Sequence, residues 1–164
     1  MTTLYYAATA PVNPAGASPV LTAAQVWEGL RLKVRHADRF VPPIRSCVVL
    51  GEEDGGRVVR RRVVFEGGRE MTEVCTERAP HRVEFRLEDG TEVDNILAPG
   101  PAGPADLHLT YAFKWKLSGG GDTDEKGGRE ESDVLAEQQK MALGAVQSTI
   151  KVIRDMVTDG RLNA

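Results

Sequence analysis

The stretch that decides the fold is REESDVLAEQQKMALGAVQSTIKVIRDMVT, residues 129–158. It contains no proline and a single glycine, Gly144. Apolar residues recur in it every three or four positions, as on the buried face of an amphipathic helix. The pattern predicts one helix of about 43 Å, long enough to cross a whole domain. The stripe consists of Val134, Leu135, Met141, Ala142, Ala145, Val146, Ile150, Ile153, Met156 and Val157, together with uncharged Gln138 and Thr149.

Between residues 44 and 117 the sequence changes to short apolar runs separated by turns rich in glycine, proline and aspartate. The clearest run ends at Leu117, and its apolar and polar residues alternate from Leu107 onward. Such alternation predicts one buried face and one wet face, as in an antiparallel sheet. Strands are predicted over residues 3–12, 46–52, 57–66, 69–76, 81–88, 91–97 and 106–117.

A first helix is predicted between the first two strands. Thr22 and Gln25 have the spacing of a capping box, and the helix should break near His36 and stop before the two prolines at 42 and 43. Its apolar face carries Val26, Trp27, Leu30 and Val34. The order of elements is strand, helix, six strands as a meander, and long helix. It predicts an α+β fold in which a curved antiparallel sheet of about seven strands grips the C-terminal helix.

Length and charge restrict the class of protein. The 164 residues are enough for a single domain over 1–164 with a sizeable core, and the segment SGGGDTDEKGG at 118–128 is predicted to be a flexible loop. The net charge of −3 and a pI of about 5.7 give no reason to expect nucleic acid as a partner. The sequence shows neither a signal peptide nor a bilayer-spanning apolar stretch, so a cytoplasmic protein without membrane insertion is predicted. Nothing in it indicates the oligomeric state.

Arg60, Arg61 and Arg62 form the main basic run. Because side chains alternate along a strand, at least one of these arginines must face away from the other two. The apolar residues Val59 and Val63 favour the inner face for Arg61. A buried arginine needs a carboxylate or a ligand anion as its partner, although ordinary solvated or paired arginines are the simpler interpretation of this run.

Glu73 is the natural partner for Arg61. If the turn EGGR at 66–69 closes with a bulge, Val63 faces Glu73, and Glu73 is diagonal to Arg61 on the same face. A plain two-residue turn instead pairs Arg62 with Glu73, and the sequence leaves both registers open. Arg61 and Glu73 are therefore the candidate catalytic residues, and also candidate ligand-binding residues.

Other candidate ligand-binding residues face the predicted interior. Asn95 shares its strand face with Val93 and Leu97, and a buried amide must be satisfied by a neighbour or by a ligand. Large aromatic residues on the sheet opposite small residues on the long helix would leave space for a bound small molecule. The remaining candidates are Trp27, Tyr111, Trp115, Gln138 and Met141.

Metal and cofactor chemistry is not indicated. His36, His81 and His108 are far apart in the sequence and have no ligand spacing. Cys47 and Cys75 form no CxxC motif, and a buried inert thiol is expected for Cys75. We therefore expect neither a metal site nor a cofactor.

The predicted order of elements resembles the helix-grip fold of the START, Bet v 1 and polyketide-cyclase (SRPBCC) superfamily. The stretch RVVRRRVVFEGGREMTEVCTERAPHRVEFRLEDGTEVDNILAPGPAGPADLHLTYAFKWKL, residues 57–117, is similar more narrowly to the AtaL-like group. The resemblance covers nearly the whole chain and rests on the order of elements and on the residue pattern of the strands. It includes no catalytic motif. It implies a cavity between the concave face of the sheet and the long helix that holds a hydrophobic or amphipathic small molecule.

Three functions are compatible with these features. The first is binding or carriage of a hydrophobic small molecule in the cavity. The second is a cofactor-free cyclase or dehydratase acting on a polyketide-like substrate, with Glu73 as acid or base and Arg61 or Asn95 holding an oxygen. The third is a protein-interaction module with a filled core and an exposed apolar patch. Several convergent titratable groups inside the cavity would favour the enzyme, and a lone hydrogen-bonding residue would favour the binder.

Overall fold

The structure, a computed structural model, describes residues 2–117 and 131–162. The predicted loop at 118–128 lies outside the described residues. The strands and helices follow one another as β1 (Thr2–Pro11), α1 (Ala23–Arg35), β2 (Ile44–Glu53), β3 (Val58–Phe65), β4 (Glu70–Arg78), β5 (Arg82–Leu87), β6 (Glu92–Pro99), β7 (Leu107–Leu117) and α2 (Glu131–Thr158).

The seven strands form one antiparallel sheet in the order β1-β7-β6-β5-β4-β3-β2. The six strands from β2 to β7 are a meander, and β1 closes against β7, with Ala8 opposite Tyr111. α2 packs on the face of the sheet next to β1 and β7. The predicted α+β architecture, a sheet of seven strands around a long C-terminal helix, is therefore confirmed.

The first helix begins with the predicted capping box. The Thr22 hydroxyl accepts a hydrogen bond from the Gln25 backbone N–H at 3.1 Å, and the Gln25 side-chain oxygen accepts one from the Thr22 backbone N–H at 2.9 Å. These reciprocal bonds satisfy two donors that a helix start leaves free. The helix ends at Arg35, and a short 3₁₀ turn over Ala37–Arg39 follows. The predicted break near His36 is thus confirmed.

The β3–β4 turn has neither of the two registers considered from the sequence. The Phe65 backbone N–H donates to the Arg69 carbonyl at 2.8 Å, so three residues form the turn instead of two. Two of them, Gly67 and Gly68, have φ of +88° and +86°, a conformation that favours glycine. This turn places Arg61 directly opposite Glu73. The diagonal arrangement and the Arg62 pairing are both wrong, whereas the inner position of Arg61 is confirmed.

The buried stripe of α2 is narrower than the sequence suggests. Ala142, Val146, Ile153 and Met156 are buried as predicted, but the Met141 side chain is 55% exposed. Successive helix residues are about 100° apart around the axis, so Met141 falls outside the arc that faces the sheet. Its placement on the buried stripe is therefore wrong.

Close packing of the two helices fixes α1 over the sheet. A methyl group at Gly29 would lie 2.5 Å from Cγ1 of Ile153, so only a glycine lets α1 approach α2 this closely. At the other side of α2, the Arg154 guanidinium donates to the Val12 carbonyl at 2.6 Å and to the Pro19 carbonyl at 3.2 Å. Within residues 2–117 and 131–162, neither helix is long and apolar enough to cross a membrane.

Candidate ligand-binding site

The inner face of the sheet is closed at one end and half-exposed at the other. At the closed end, Val12 and Leu109 are fully buried. Two to six residues further along the same faces of β1, β6 and β7, the inward side chains of Tyr6, Val93 and Phe113 are only half-buried. The face therefore leaves apolar surface partly uncovered at this end, which suits a small apolar molecule.

Aromatic rings make up much of this end: Tyr6 and Phe113 are half-buried, and Trp115 is buried beside them. The Phe113 and Trp115 rings are stacked with centroids 4.7 Å apart, and the Tyr6 and Trp115 rings are stacked at 6.1 Å. We call Tyr6, Phe113 and Trp115 the aromatic row. The Tyr111 ring meets Phe113 edge-on at 6.2 Å and connects the row to the centre of the inner face.

A lysine lies at that centre, buried against uncharged partners. The Lys33 ammonium reaches from α1 and donates to Asn95 Oδ1 at 2.8 Å and to the Tyr111 hydroxyl at 2.9 Å. Tyr111 in turn donates to the Thr149 hydroxyl on α2 at 2.6 Å. Lys33 Nζ also lies 5.1 Å from the centre of the Phe85 ring on β5. Three strands (β5, β6 and β7) and both helices therefore meet around one cationic group. We call Lys33, Asn95, Tyr111 and Thr149 the polar centre.

Burial changes the acid–base behaviour of the polar centre. Removal from water lowers the pKa of Lys33 from its ordinary value to about 7, an effect that the nearby Arg61 guanidinium reinforces and the Glu73 carboxylate opposes. Burial also raises the pKa of Tyr111 well above its usual range, so its hydroxyl stays neutral. The Lys33 amine can thus gain or lose a proton near neutral pH.

Arg61 and Glu73 form a second buried group beside the polar centre. Arg61 Nε donates to Glu73 Oε2 at 2.8 Å, and both side chains are buried. The same guanidinium donates to the carbonyls of Lys33 and Val34 at 2.9 and 2.8 Å. These carbonyls belong to the last turn of α1, whose terminal carbonyls lack helical partners. The pair therefore fastens α1 to the sheet, and it places the backbone that carries Lys33.

Two buried polar atoms have no hydrogen-bond partner within residues 2–117 and 131–162: Asn95 Nδ2 and Gln138 Oε1. Native proteins rarely leave such atoms unsatisfied, so each one calls for an explanation. Gln138 precedes Thr149 by eleven residues, about 16 Å along the helix axis. Asn95 thus has an unpaired donor at the polar centre. Gln138 has an unpaired acceptor in the N-terminal half of α2, away from the polar centre.

The structure brings together most of the residues that the sequence indicated. Asn95, Tyr111, Arg61 and Glu73 converge in the core, and Trp115 belongs to the aromatic row next to them. Trp27 is half-buried and packs against the main hydrophobic core, while exposed Met141 is not part of the group. Whether any of them binds a ligand stays a prediction.

Sequence reasoning missed Lys33 and Phe85, and it gave Thr149 only a place on the stripe. A signal for Lys33 existed, because it follows Leu30 by three residues and Val26 by seven, on the apolar face of α1. Lysine on such a face is usually a stem lying along the surface with its charge in water. Here only 6% of the residue is exposed.

Outside the core, the described residues offer few alternatives. They contain no group of three or more His, Cys, Asp or Glu side chains that could hold a metal ion. Cys75 is buried, and burial raises the pKa of its thiol to about 12, which makes it a poor nucleophile. An exposed apolar run, Val48–Leu50, lies on the edge strand β2.

Comparison with known proteins adds a family and a fold. The family model described as "AtaL: Acetylaranotin biosynthesis cluster protein L" matches residues 6–160. No curated protein sequence matches the chain. The Zhui aromatase/cyclase from Streptomyces sp. R1128 superposes with a TM-score of 0.69 at 15% identity, over 95% of this chain and 96% of that one.

Two further structures agree with that result. The di-domain aromatase/cyclase StfQ of the steffimycin pathway has a TM-score of 0.68 at 9% identity, over 97% of this chain and 52% of that one, so the chain spans about half its length. A START superfamily protein from Mycobacterium smegmatis has a TM-score of 0.56 at 14% identity, over 96% and 97% of the two chains. At these identities the similarities show the helix-grip fold.

Proposed function

Because the chain belongs to the acetylaranotin biosynthesis cluster protein L (AtaL) family, we propose that it binds a hydrophobic or amphipathic small molecule between the sheet and α2. One observation carries the proposal: the half-buried rings of Tyr6 and Phe113 in the aromatic row adjoin a buried polar centre that has an open hydrogen-bond donor. Ligand pockets in proteins typically combine apolar walls with a few convergent polar groups.

The dimensions of this surface suit a small flat molecule. Along a strand, residues on one face are about 7 Å apart, so Phe113 is one such step from Tyr111, whose hydroxyl accepts a hydrogen bond from Lys33. An apolar body resting on Phe113 and Val93 could therefore direct one polar group to Asn95. The small residues of α2, such as Ala142 and Ala145, add little bulk opposite the sheet.

A fluorescent dye tests the proposal. N-phenyl-1-naphthylamine is uncharged and becomes bright in apolar surroundings, and we expect it to bind with a stoichiometry near one. Val93→Trp should block binding, because position 93 faces inward between Phe85 and Phe113. The matched control is Val74→Trp, since Val74 is 37% exposed on the outer face.

Circular dichroism and urea unfolding establish that both variants are folded. Dye binding lost in Val93→Trp and kept in Val74→Trp supports the proposed site. No binding by the folded wild-type protein contradicts it. In that case the interaction-module hypothesis gains, with the exposed run Val48–Leu50 as its surface.

A second candidate function is a cofactor-free cyclase or dehydratase of polyketide-like substrates. It is favoured by the convergence of four titratable side chains, Lys33, Arg61, Glu73 and Tyr111, inside the core. Zhui and StfQ, whose structures resemble this one, are aromatase/cyclases, which agrees with this candidate. Since Arg61 and Glu73 hold each other and α1, Lys33 is the group left to gain or lose a proton near neutral pH.

Mass spectrometry separates the two candidates. Any small molecule that co-purifies with the protein is extracted, identified and incubated with fresh protein. A carrier returns the molecule unchanged, whereas a dehydratase releases a product lighter by one water and a cyclase releases an isomer. Lys33→Met should abolish such conversion if the polar centre moves the proton.

A further inference from the structure

The charges of the core do not balance around Lys33. Arg61 from β3 and Glu73 from β4 form a pair, and that carboxylate is already committed to the guanidinium. The side chains that hydrogen-bond to the ammonium, Asn95 from β6 and Tyr111 from β7, are both neutral. A protonated Lys33 therefore gives the site one net positive charge, and buried charges are normally paired.

A negatively charged group that paired with Lys33 would need hydrogen-bond donors around its binding position. Asn95 Nδ2 is fully buried, belongs to the same amide that accepts from Lys33, and has no partner within the described residues. An ammonium has three donors, of which Asn95 Oδ1 and the Tyr111 hydroxyl engage two. The lysine and the amide together thus have free donors side by side and no negative charge of their own.

We propose that the Lys33 ammonium and the Asn95 amide bind an anionic oxygen, so that the ligand is an apolar molecule bearing one acidic oxygen group such as a carboxylate or an ionised phenol or enol. This inference rests on the proposed function, because it assigns the polar end of the same ligand. The apolar part lies on Val93 and the aromatic row. The single positive charge available matches a singly charged group better than a multiply charged anion.

Proton uptake distinguishes this site from a lysine that only stabilises the core. Burial lowers the pKa of Lys33 to about 7, so most of the free protein carries a neutral amine one pH unit above that value. The groups facing this amine are Arg61, Glu73, Cys75 and Tyr111, and none of them supplies an unpaired negative charge. An anion bound beside Nζ favours the ammonium, and binding should therefore take up a proton from solution.

The experiment compares two probes of nearly the same shape, 2-naphthoate and 2-naphthamide. Titration calorimetry is done about one pH unit above the pKa of Lys33, in phosphate and in Tris, whose ionisation enthalpies differ. We expect the anion to bind about tenfold more tightly than the amide, or more. We also expect it to take up close to one proton, whereas the amide takes up none.

Three variants test whether the preference for 2-naphthoate over 2-naphthamide depends on Lys33. Lys33→Met should remove both the preference and the uptake, and Lys33→Arg should keep the preference without uptake, since a guanidinium stays charged. Lys140→Met, at an exposed position on α2, is the matched control and should change neither. The wild-type uptake measurement stands by itself if the variants at position 33 do not fold.

The outcomes separate this inference from the function on which it rests. Equal affinities for both probes, sensitive to Val93→Trp, would overturn the anion site and leave ligand binding intact. Preference for 2-naphthoate that persists in folded Lys33→Met would also overturn it. Failure of both probes and of N-phenyl-1-naphthylamine to bind the folded protein would overturn the inference and the proposed function together.

Discussion

Buried Lys33 should make the stability of the free protein depend on pH in a specific range. The perturbation is Lys33→Met, which keeps an unbranched apolar stem and removes the ionisable amine. The folded pKa is about 7, whereas an unfolded lysine has its ordinary value of 10.5. Between these values the unfolded chain binds more protons than the folded chain, so the free energy of unfolding rises with pH. Below the folded pKa both states are protonated and the dependence ends.

The size of the effect follows from the shift. Each pH unit inside the range should add about 1.4 kcal/mol to the free energy of unfolding. The full range corresponds to roughly 5 kcal/mol, an upper figure because local relaxation and water entry reduce the shift. This is a large share of the stability of a typical domain.

The assay is urea unfolding, followed by circular dichroism at pH steps from neutral to about pH 10, for the wild type, Lys33→Met and the exposed-lysine control Lys140→Met. Other lysines and tyrosines titrate in the alkaline range, so the informative quantity is the difference between wild type and Lys33→Met. We expect that difference to change with pH, and Lys140→Met to behave as the wild type. Parallel curves for wild type and Lys33→Met would refute the conclusion that Lys33 is buried with a lowered pKa.

Two further changes test the packing around this centre by urea unfolding. Ile153→Ala should lower the free energy of unfolding by about 2–5 kcal/mol, because the Ile153 side chain is fully buried against α1. The control, Gln147→Ala at an exposed position of α2, should lower it by less than about 1 kcal/mol. Similar losses at both positions would show that α2 does not pack as described. Arg61→Met should cost about 3–5 kcal/mol because it leaves the Glu73 carboxylate buried without its cation. The double variant Arg61→Met/Glu73→Met should recover part of that loss, and purely additive losses would contradict the pairing.

Much of the fold could be predicted from local sequence signals. Capping residues Thr22 and Gln25 mark the start of α1, and strict alternation on β7 identifies the inward position of Tyr111. The register of the β3–β4 turn could not be predicted, because Gly67 and Gly68 allow several turn geometries and the choice depends on which residues the sheet buries. The observed register places Arg61 directly opposite Glu73. The sequence indicated these two residues as partners but left their register open.

The polar centre was harder to predict because its members come from distant parts of the chain. Asn95 and Tyr111 share a buried face with apolar neighbours, so their strand pattern identified them. Lys33 is different, since lysine is almost never fully buried, and only the packing of α1 on the sheet removes it from water. Met141 shows the opposite error, because an apolar side chain near a buried stripe still faces outward when the partner surface is narrow.

The last turn of α1 is held from both sides of the inner face. Arg61 on β3 binds the carbonyls of Lys33 and Val34, while Asn95 on β6 and Tyr111 on β7 bind the lysine side chain. Backbone and side chain of one residue are thus tied to strands on opposite sides of β5, which limits how far the ammonium can move. Under the proposed function, this fixes the polar end of the ligand at the middle of the sheet. Differences in ligand size must then be accommodated beside Tyr6, Val93 and Phe113, where the inner face still has apolar surface to cover.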